Sequence, residues 1–241
     1  FTQAGRAVRG EGAVKPLGSL KAERLIGTGE SQSATRLVTY IDGIQPQAGV
    51  FDGFLVHSRF GGAAPLSQAP LPAVPAPVPT RIRTDLKVPV LTFLTETDVG
   101  PLGAAAARQP DTRRLRTWEV AGTAHADVYT TAGFGDTGDG AVEVALLDYT
   151  NPSRGPLSCA TPINAGPQYA VLMAAVRHLD EWVRDGTAPP KGAPLDVTEG
   201  PGRTVGGRTV PSYTITRDAQ GNAVGGIRTP FFAKWPARIA A

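Results

Sequence analysis

Two short runs, Phe51 to Val56 and Val88 to Leu94, are apolar through much of their length rather than at every second residue. A strand that offers water neither face needs cover on both, the condition of a parallel strand between helical layers. Such cover is visible nearby. Within Ser33 to Ile44 the residues Ala34, Leu37, Val38, Ile41 and Ile44 recur at three- and four-residue steps, as one buried helical face requires. A longer helix is expected over Gln168 to Arg184, with Val171, Ala174, Ala175, Leu179, Trp182 and Val183 on the packing side and His178, Asp180, Glu181 and Arg184 toward solvent. Gly186 and Pro189-Pro190 end it. Leu115 to Val120 alternates more strictly and is expected nearer a sheet edge. Ala22 to Ile26 reads as a strand that stops at a tight turn, Gly27-Thr28-Gly29. Strands alternating with helices define an α/β class with a mostly parallel, doubly wound sheet.

Two stretches interrupt this pattern. Gly61 to Thr80 holds six prolines and can be neither helix nor central strand, so an excursion over about 60–86 is expected, a surface loop or part of a lid. Thr130 to Pro167, rich in Gly, Asp, Asn and Pro, is expected to be a second insertion. The sequence therefore divides into an α/β portion over 1–190 and a tail over 191–241 that packs on it. In the tail a hairpin is expected, Ser212 to Thr216 against a strand near Ala223, turning near Gly221-Asn222.

Charge and cysteine content narrow the function. Twenty-four Lys+Arg against 21 Asp+Glu leave a net +3 with no basic run beyond pairs, which sets nucleic acid aside. No apolar stretch approaches the roughly 18–20 residues of a membrane span. One cysteine, Cys159, excludes a disulfide within the chain and any CxxC metal or redox site. No metal or cofactor is expected.

The chemistry concentrates at Gly29-Glu30-Ser31-Gln32-Ser33, between a strand and an amphipathic helix. A nucleophile elbow holds its serine in a strained backbone and needs small residues two positions to either side. Gly29 meets that need, and Ser33 replaces the usual second glycine. The amide of Gln32, at a helix N-terminus, would point where an oxyanion forms. The blander role for Ser31 is an N-cap. Chain order favours the nucleophile, because an acid and then a histidine should follow later strands. Thr95-Glu96-Thr97-Asp98 and Ala121-Gly122-Thr123-Ala124-His125 stand there. His125 is the candidate base, Asp98 the preferred acid and Glu96 the reserve; Asp127 is too close to the histidine in sequence to be an easy triad partner, and Asp136 and Asp139 read as loop and turn residues. His57 closes a strand where sites gather but precedes the acid; His178 reads as a surface residue. Candidate substrate contacts are His57, Arg59, Tyr149 and Arg228, with Phe60, Tyr129, Phe134 and Cys159 as further lining candidates. For Arg59 and Arg228 a structural ion pair is the favoured alternative.

The runs Gly27 to Ser33 (GTGESQS), Phe51 to Arg59 (FDGFLVHSR), Thr95 to Val99 (TETDV) and Gly225 to Pro230 (GGIRTP) together resemble the "alpha/beta hydrolase domain" family of bacterial and fungal esterase-like proteins. The resemblance spans nearly the whole chain. It implies an α/β-hydrolase fold and serine-hydrolase activity, with substrates poorly defined. In that fold the nucleophile strand is normally the fifth, whereas only 30 residues precede Ser31, so the chain is similar to the C-terminal portion of the family's domain. A separate N-terminal polypeptide, cleaved from one precursor, is therefore expected to complete the sheet and cover an otherwise open strand edge.

The resulting expectation is a serine hydrolase acting on a small-molecule carboxylic ester through an acyl-enzyme. The alternatives are an acyltransferase or amidase with the same triad, and an inactive hydrolase-like binding or assembly subunit. The chain does not begin with Met and opens in a helix-like stretch, which points to a cleaved start and a secreted or cell-envelope protein.

Overall fold

The structure, a computed structural model, describes residues 1–67, 69–72, 74, 78–132, 163–205 and 208–230. The strands are β1 (Ile26–Glu30), β2 (Gly53–His57), β3 (Val90–Thr95), β4 (Leu115–Val120), β5 (Val197–Val205) and β6 (Arg208–Ile215). The helices are α1 (Thr2–Val8), α2 (Gln32–Gly43), α3 (Gln45–Ala48), α4 (Glu96–Val99), α5 (Val128–Ala132) and α6 (Gln168–Asp185), with a 3-10 turn at Ala104–Ala107. β1 to β4 form one sheet in sequence order, in which β1–β2 and β2–β3 pair in parallel; β5 and β6 form an antiparallel hairpin.

The chain divides into two compact units. The first comprises Phe1–Phe93, Ala104–Trp118 and Ala174–Lys191. Its core joins Ala34, Leu37, Val38 and Ile41 of α2 to Phe54 and Val56 of β2, Val90 of β3 and Leu115 of β4. Phe1, Tyr40, Phe51 and Phe54 add an aromatic cluster: Phe1 stacks on Phe51 at 4.7 Å and Tyr40 meets Phe51 edge-on at 5.6 Å. α1 is tied down by Arg9, which donates to the Val50 carbonyl at 2.7 Å and pairs with Asp52 at 2.6 Å. Along α6 the residues Val171, Ala175, Leu179 and Trp182 are buried, while Ala174, expected on the packing side, is exposed, because it lies just outside the narrow stripe those four define. Trp182 carries the Arg116 guanidinium 5.8 Å above its ring, and His178, half-buried rather than simply on the surface, meets Trp118 edge-on.

The first strand differs from the sequence expectation. β1 begins at Ile26, where the strand was expected to end, and Gly27 and Gly29, expected in a turn, lie inside it. They are packing glycines. A Cβ on Gly27 would sit 2.8 Å from the Phe54 ring, and one on Gly29 would sit 2.7 Å from the Ser33 carbonyl oxygen. The excursion after β2 contains no helix or strand among its described residues. It is held to α2 by Thr39 Oγ1 donating to the Ala64 carbonyl at 2.6 Å and closed by Thr80 N–H donating to Gly61 at 2.9 Å.

The second unit comprises Leu94–Gly103, Glu119–Met173 and Gly192–Ala241. Its hairpin is not the one expected. β6 pairs with the preceding β5, while the Asp218 to Asn222 turn closes only a single bridge, Arg217 to Ala223. β5 carries Gly200-Pro201-Gly202 and a bulge at that point, which hides it from pattern reading. Beyond the turn, Ile227 makes a parallel bridge to Val120, donating to the Glu119 carbonyl at 2.7 Å and accepting from Ala121 at 3.0 Å. Gly225 (φ 75°) and Gly226 (φ 70°) permit that approach: a Cβ on Gly226 would lie 3.1 Å from the Glu119 oxygen.

Candidate active site

Ser31 stands between β1 and α2 with φ 58° and ψ −121°, outside the regions a non-glycine residue prefers. The turn is held from both sides. The Ser31 N–H donates to the His57 carbonyl at 3.1 Å, and its own carbonyl accepts from Thr35 N–H at 3.1 Å. Its side chain makes no capping hydrogen bond to the first turn of α2, so the N-cap role does not account for the residue. Gln32 is the first residue of α2, where N–H groups have no partner within the helix. Gly29 and Ser33 are the two small residues around the serine, and their close approach explains why the position before the elbow takes no side chain.

The acid and the histidine belong to the second unit. His125 Nδ1 lies 2.6 Å from Asp98 Oδ1. Asp98 is fully buried at the third position of α4, and a capping box fixes it: Oδ2 accepts the Thr95 N–H at 2.7 Å, while Thr95 Oγ1 accepts the Asp98 N–H at 3.3 Å. A carboxylate so placed orients an imidazole without turning itself. Glu96, the reserve acid, is engaged elsewhere. Its Oε1 accepts the Gly122 N–H at 2.6 Å, and its Oε2 lies 3.0 Å from Arg217 Nη2. Asp127 caps the start of α5 by accepting from the Thr130 N–H at 2.8 Å and hydroxyl at 3.0 Å; burial raises its pKa above the ordinary carboxylate value.

The expected substrate contacts fare unevenly. His57 is buried at the end of β2, its ring edge-on to Phe93 at 5.2 Å, and what it gives the serine turn is its backbone carbonyl. Arg59 makes structural contacts. Its buried guanidinium donates to the Phe60 carbonyl at 3.0 Å and to those of Gly62 and Thr80, so it braces the proline-rich excursion; burial lowers its pKa to about 10, with Asp42 partly opposing the shift. Arg228 reaches toward Asp218 at 3.8 Å and so steadies the turn in the C-terminal segment. Tyr129 stacks on Tyr169 at 5.2 Å. Tyr149, Phe134, Cys159, Asp136 and Asp139 lie outside the described residues.

Three contributors escaped the sequence reading. Thr95 was legible in principle, since T-x-x-D before a short helix is a capping signature. Ser58 was not: it is fully buried after β2 with φ 53°, and no local pattern marks a second strained serine. Arg217 could not be found without the fold. Among the described residues no group of three or more His, Cys, Asp or Glu is placed to hold a metal ion, and no helix is long and apolar enough to cross a membrane.

No curated protein and no solved structure matches the chain. The family model described as "Alpha/beta hydrolase domain" matches residues 1–236. With a parallel sheet flanked by helices and a strained serine turn between strand and helix, the chain belongs to the alpha/beta hydrolase domain family, a family of hydrolases.

Proposed function

We propose that the protein hydrolyses a carboxylic ester by way of an acyl-enzyme, with Ser31 as nucleophile, His125 as general base and acid, and Asp98 as the orienting carboxylate. The observation that carries this reading is the 2.6 Å contact between His125 Nδ1 and the capped, buried Asp98. An imidazole engaged through Nδ1 keeps Nε2 for a hydroxyl, which is the requirement of the base in a triad. The strained turn at Ser31 supplies the matching nucleophile.

In this mechanism Ser31 Oγ attacks the ester carbonyl carbon as its proton passes to His125 Nε2. The Gln32 N–H is one donor to the resulting oxyanion. The intermediate collapses, the bond to the alcohol oxygen breaks, and that oxygen takes the proton from the imidazolium. Water then attacks the acyl-serine, giving its proton to His125, and the carboxylic acid leaves as the proton returns to Ser31 Oγ.

A fluorophosphonate followed by intact-mass measurement tests the assignment, because only an activated serine is phosphonylated. One adduct per chain is expected, absent in Ser31→Ala and strongly slowed in His125→Ala, with parallel loss of p-nitrophenyl ester turnover. No adduct on the folded protein would favour an inactive, assembly-type subunit. Turnover with an added alcohol or an amide substrate would separate the acyltransferase and amidase alternatives from hydrolysis.

A further inference from the structure

Glu96 is a carboxylate only 2% exposed, one residue past the end of β3 and two before the Asp98 that holds His125. It grips the histidine loop twice: Oε1 accepts the Gly122 N–H at 2.6 Å and its own N–H donates to the Thr123 carbonyl at 3.3 Å. Its other oxygen lies 3.0 Å from Arg217 Nη2. Arg217 comes from the C-terminal segment and is itself fixed, its Nη1 donating to the Gly221 carbonyl at 3.0 Å and its backbone bridged to Ala223. The same segment pairs Ile227 with Glu119 and Ala121, immediately before Gly122, and presses β6 against the end of α4, where a Cβ on Gly100 would meet Ile215 and the Tyr213 carbonyl at 3.3 and 3.4 Å.

Asp98 and the histidine loop are thus held differently. Asp98 is fixed by Thr95, a neighbour in sequence, whereas the loop before His125 is held by Asn164 Nδ2 on the Gly122 carbonyl at 3.3 Å, by Thr123 Oγ1 on the Val120 carbonyl at 2.7 Å, and by Glu96, which ties the Gly122 N–H to a cation from the far end of the chain. Gly122, at φ 76°, offers little backbone resistance to displacement. A buried carboxylate that loses its counter-charge does not keep its place: it turns toward water or draws water in, and either movement loosens the bond to the Gly122 N–H.

We propose that Glu96 and Arg217 form a positioning pair, through which the C-terminal segment sets the His125 imidazole for proton transfer. The pair touches no substrate. It rests on the reading of His125 as the base for Ser31, and it assigns to Glu96 a role distinct from that of a reserve acid. Because the displaced group acts in the transition state, the loss appears in kcat with KM little changed.

The test compares Arg217→Ala, Arg217→Lys, Glu96→Gln and the double variant Glu96→Gln/Arg217→Ala in the full chain. Fluorophosphonate end-points count competent serines, and labelling rates and ester kinetics are expressed per competent site. Arg217→Ala and Glu96→Gln are expected to lower the labelling rate and kcat by about 10- to 100-fold, the effect of misplacing a catalytic group by about an ångström. Arg217→Lys should restore most of the loss, and the double variant should be no worse than either single one. Unchanged rates per site in Arg217→Ala, no rescue by lysine, or independent additive losses would each overturn the pair. If the unaltered protein takes no label, the hydrolase reading fails, yet the pair is still read from the downfield proton resonance of His125 Nδ1–H. That signal should shift or broaden in Arg217→Ala and return in Arg217→Lys; a signal indifferent to both would overturn the proposal.

Discussion

Ser31 holds a backbone conformation that costs a non-glycine residue about 1–3 kcal/mol. Glycine relieves that strain but loses about 0.5–1 kcal/mol more in chain entropy on folding, so relief wins. Ser31→Gly is therefore expected to raise the melting temperature by about 2–4 °C, while Ser31→Ala, which keeps the strain, leaves it nearly unchanged. Both should abolish labelling. A Ser31→Gly protein that melts lower than Ser31→Ala would show that no strain is stored at the turn. At the neighbouring position, Gly29→Ala drives a Cβ to 2.7 Å from the Ser33 carbonyl, backbone that cannot turn aside. We expect a loss of about 1–3 kcal/mol in denaturant unfolding together with slowed labelling, because the elbow must open to admit the methyl. Ser31, Asp98 and His125 stand out in the sequence as candidates because each occupies a fixed point in a strand-turn-helix grammar, but the contacts of Glu96, Arg59 and Arg228 do not. A carboxylate or guanidinium looks the same in sequence whether it faces substrate or a backbone carbonyl, and only the fold supplies the Gly122 N–H, the Thr80 carbonyl and the Asp218 turn.

At the scale of elements, α2 and α6 follow the periodicity of their sequences because a single packed face decides both, except at Ile44, exposed just past the end of α2, and at Ala174. β1 does not, since glycines that signal a turn in isolation are here the residues that let Phe54 and α2 approach. Pairing partners were the least readable feature: a strand with Gly-Pro-Gly at its centre carries no alternation to count. The Asp218 turn offers a test of how the C-terminal segment is held. Its carboxylate accepts the Gln220 and Asn222 N–H groups at 3.0 and 2.9 Å, and these bonds, that from Asn222 foremost, hold its pKa below the ordinary 3.8. The charged form is thus favoured by folding. The stability it contributes is present above pH 3.8 and lost as the pH falls through the lowered folded value. Asp218→Ala should melt below the unaltered protein at pH 6, and the gap should close as the pH is lowered past that range. A gap that stays constant down to the acid limit of folding would assign the effect to packing.

At the scale of the whole molecule the open question is the outer side of β1. In the four-stranded order β1 is terminal among the described residues, and Thr28 at its centre is exposed. Its bonds to β2 alternate: the Leu25 carbonyl accepts from Asp52 and the Ser31 N–H donates to His57. The peptide groups of 25, 27, 29 and 31 therefore face β2, and those of 26, 28 and 30 face outward. We propose that a separate polypeptide segment pairs along this side of β1, on the outward-facing peptide groups of Ile26 and Thr28. Thr28→Pro removes an outward donor and leaves every bond to β2 in place, so it separates edge pairing from the fold of this chain. Native mass spectrometry of protein isolated from its source should show the chain with a companion polypeptide. The proline variant, co-produced with that companion, should keep its melting profile as an isolated chain but no longer carry the companion. A native protein found only as an active monomer of 25.1 kDa would remove the need for any second segment, and β1 would then be an edge that this chain tolerates by being short.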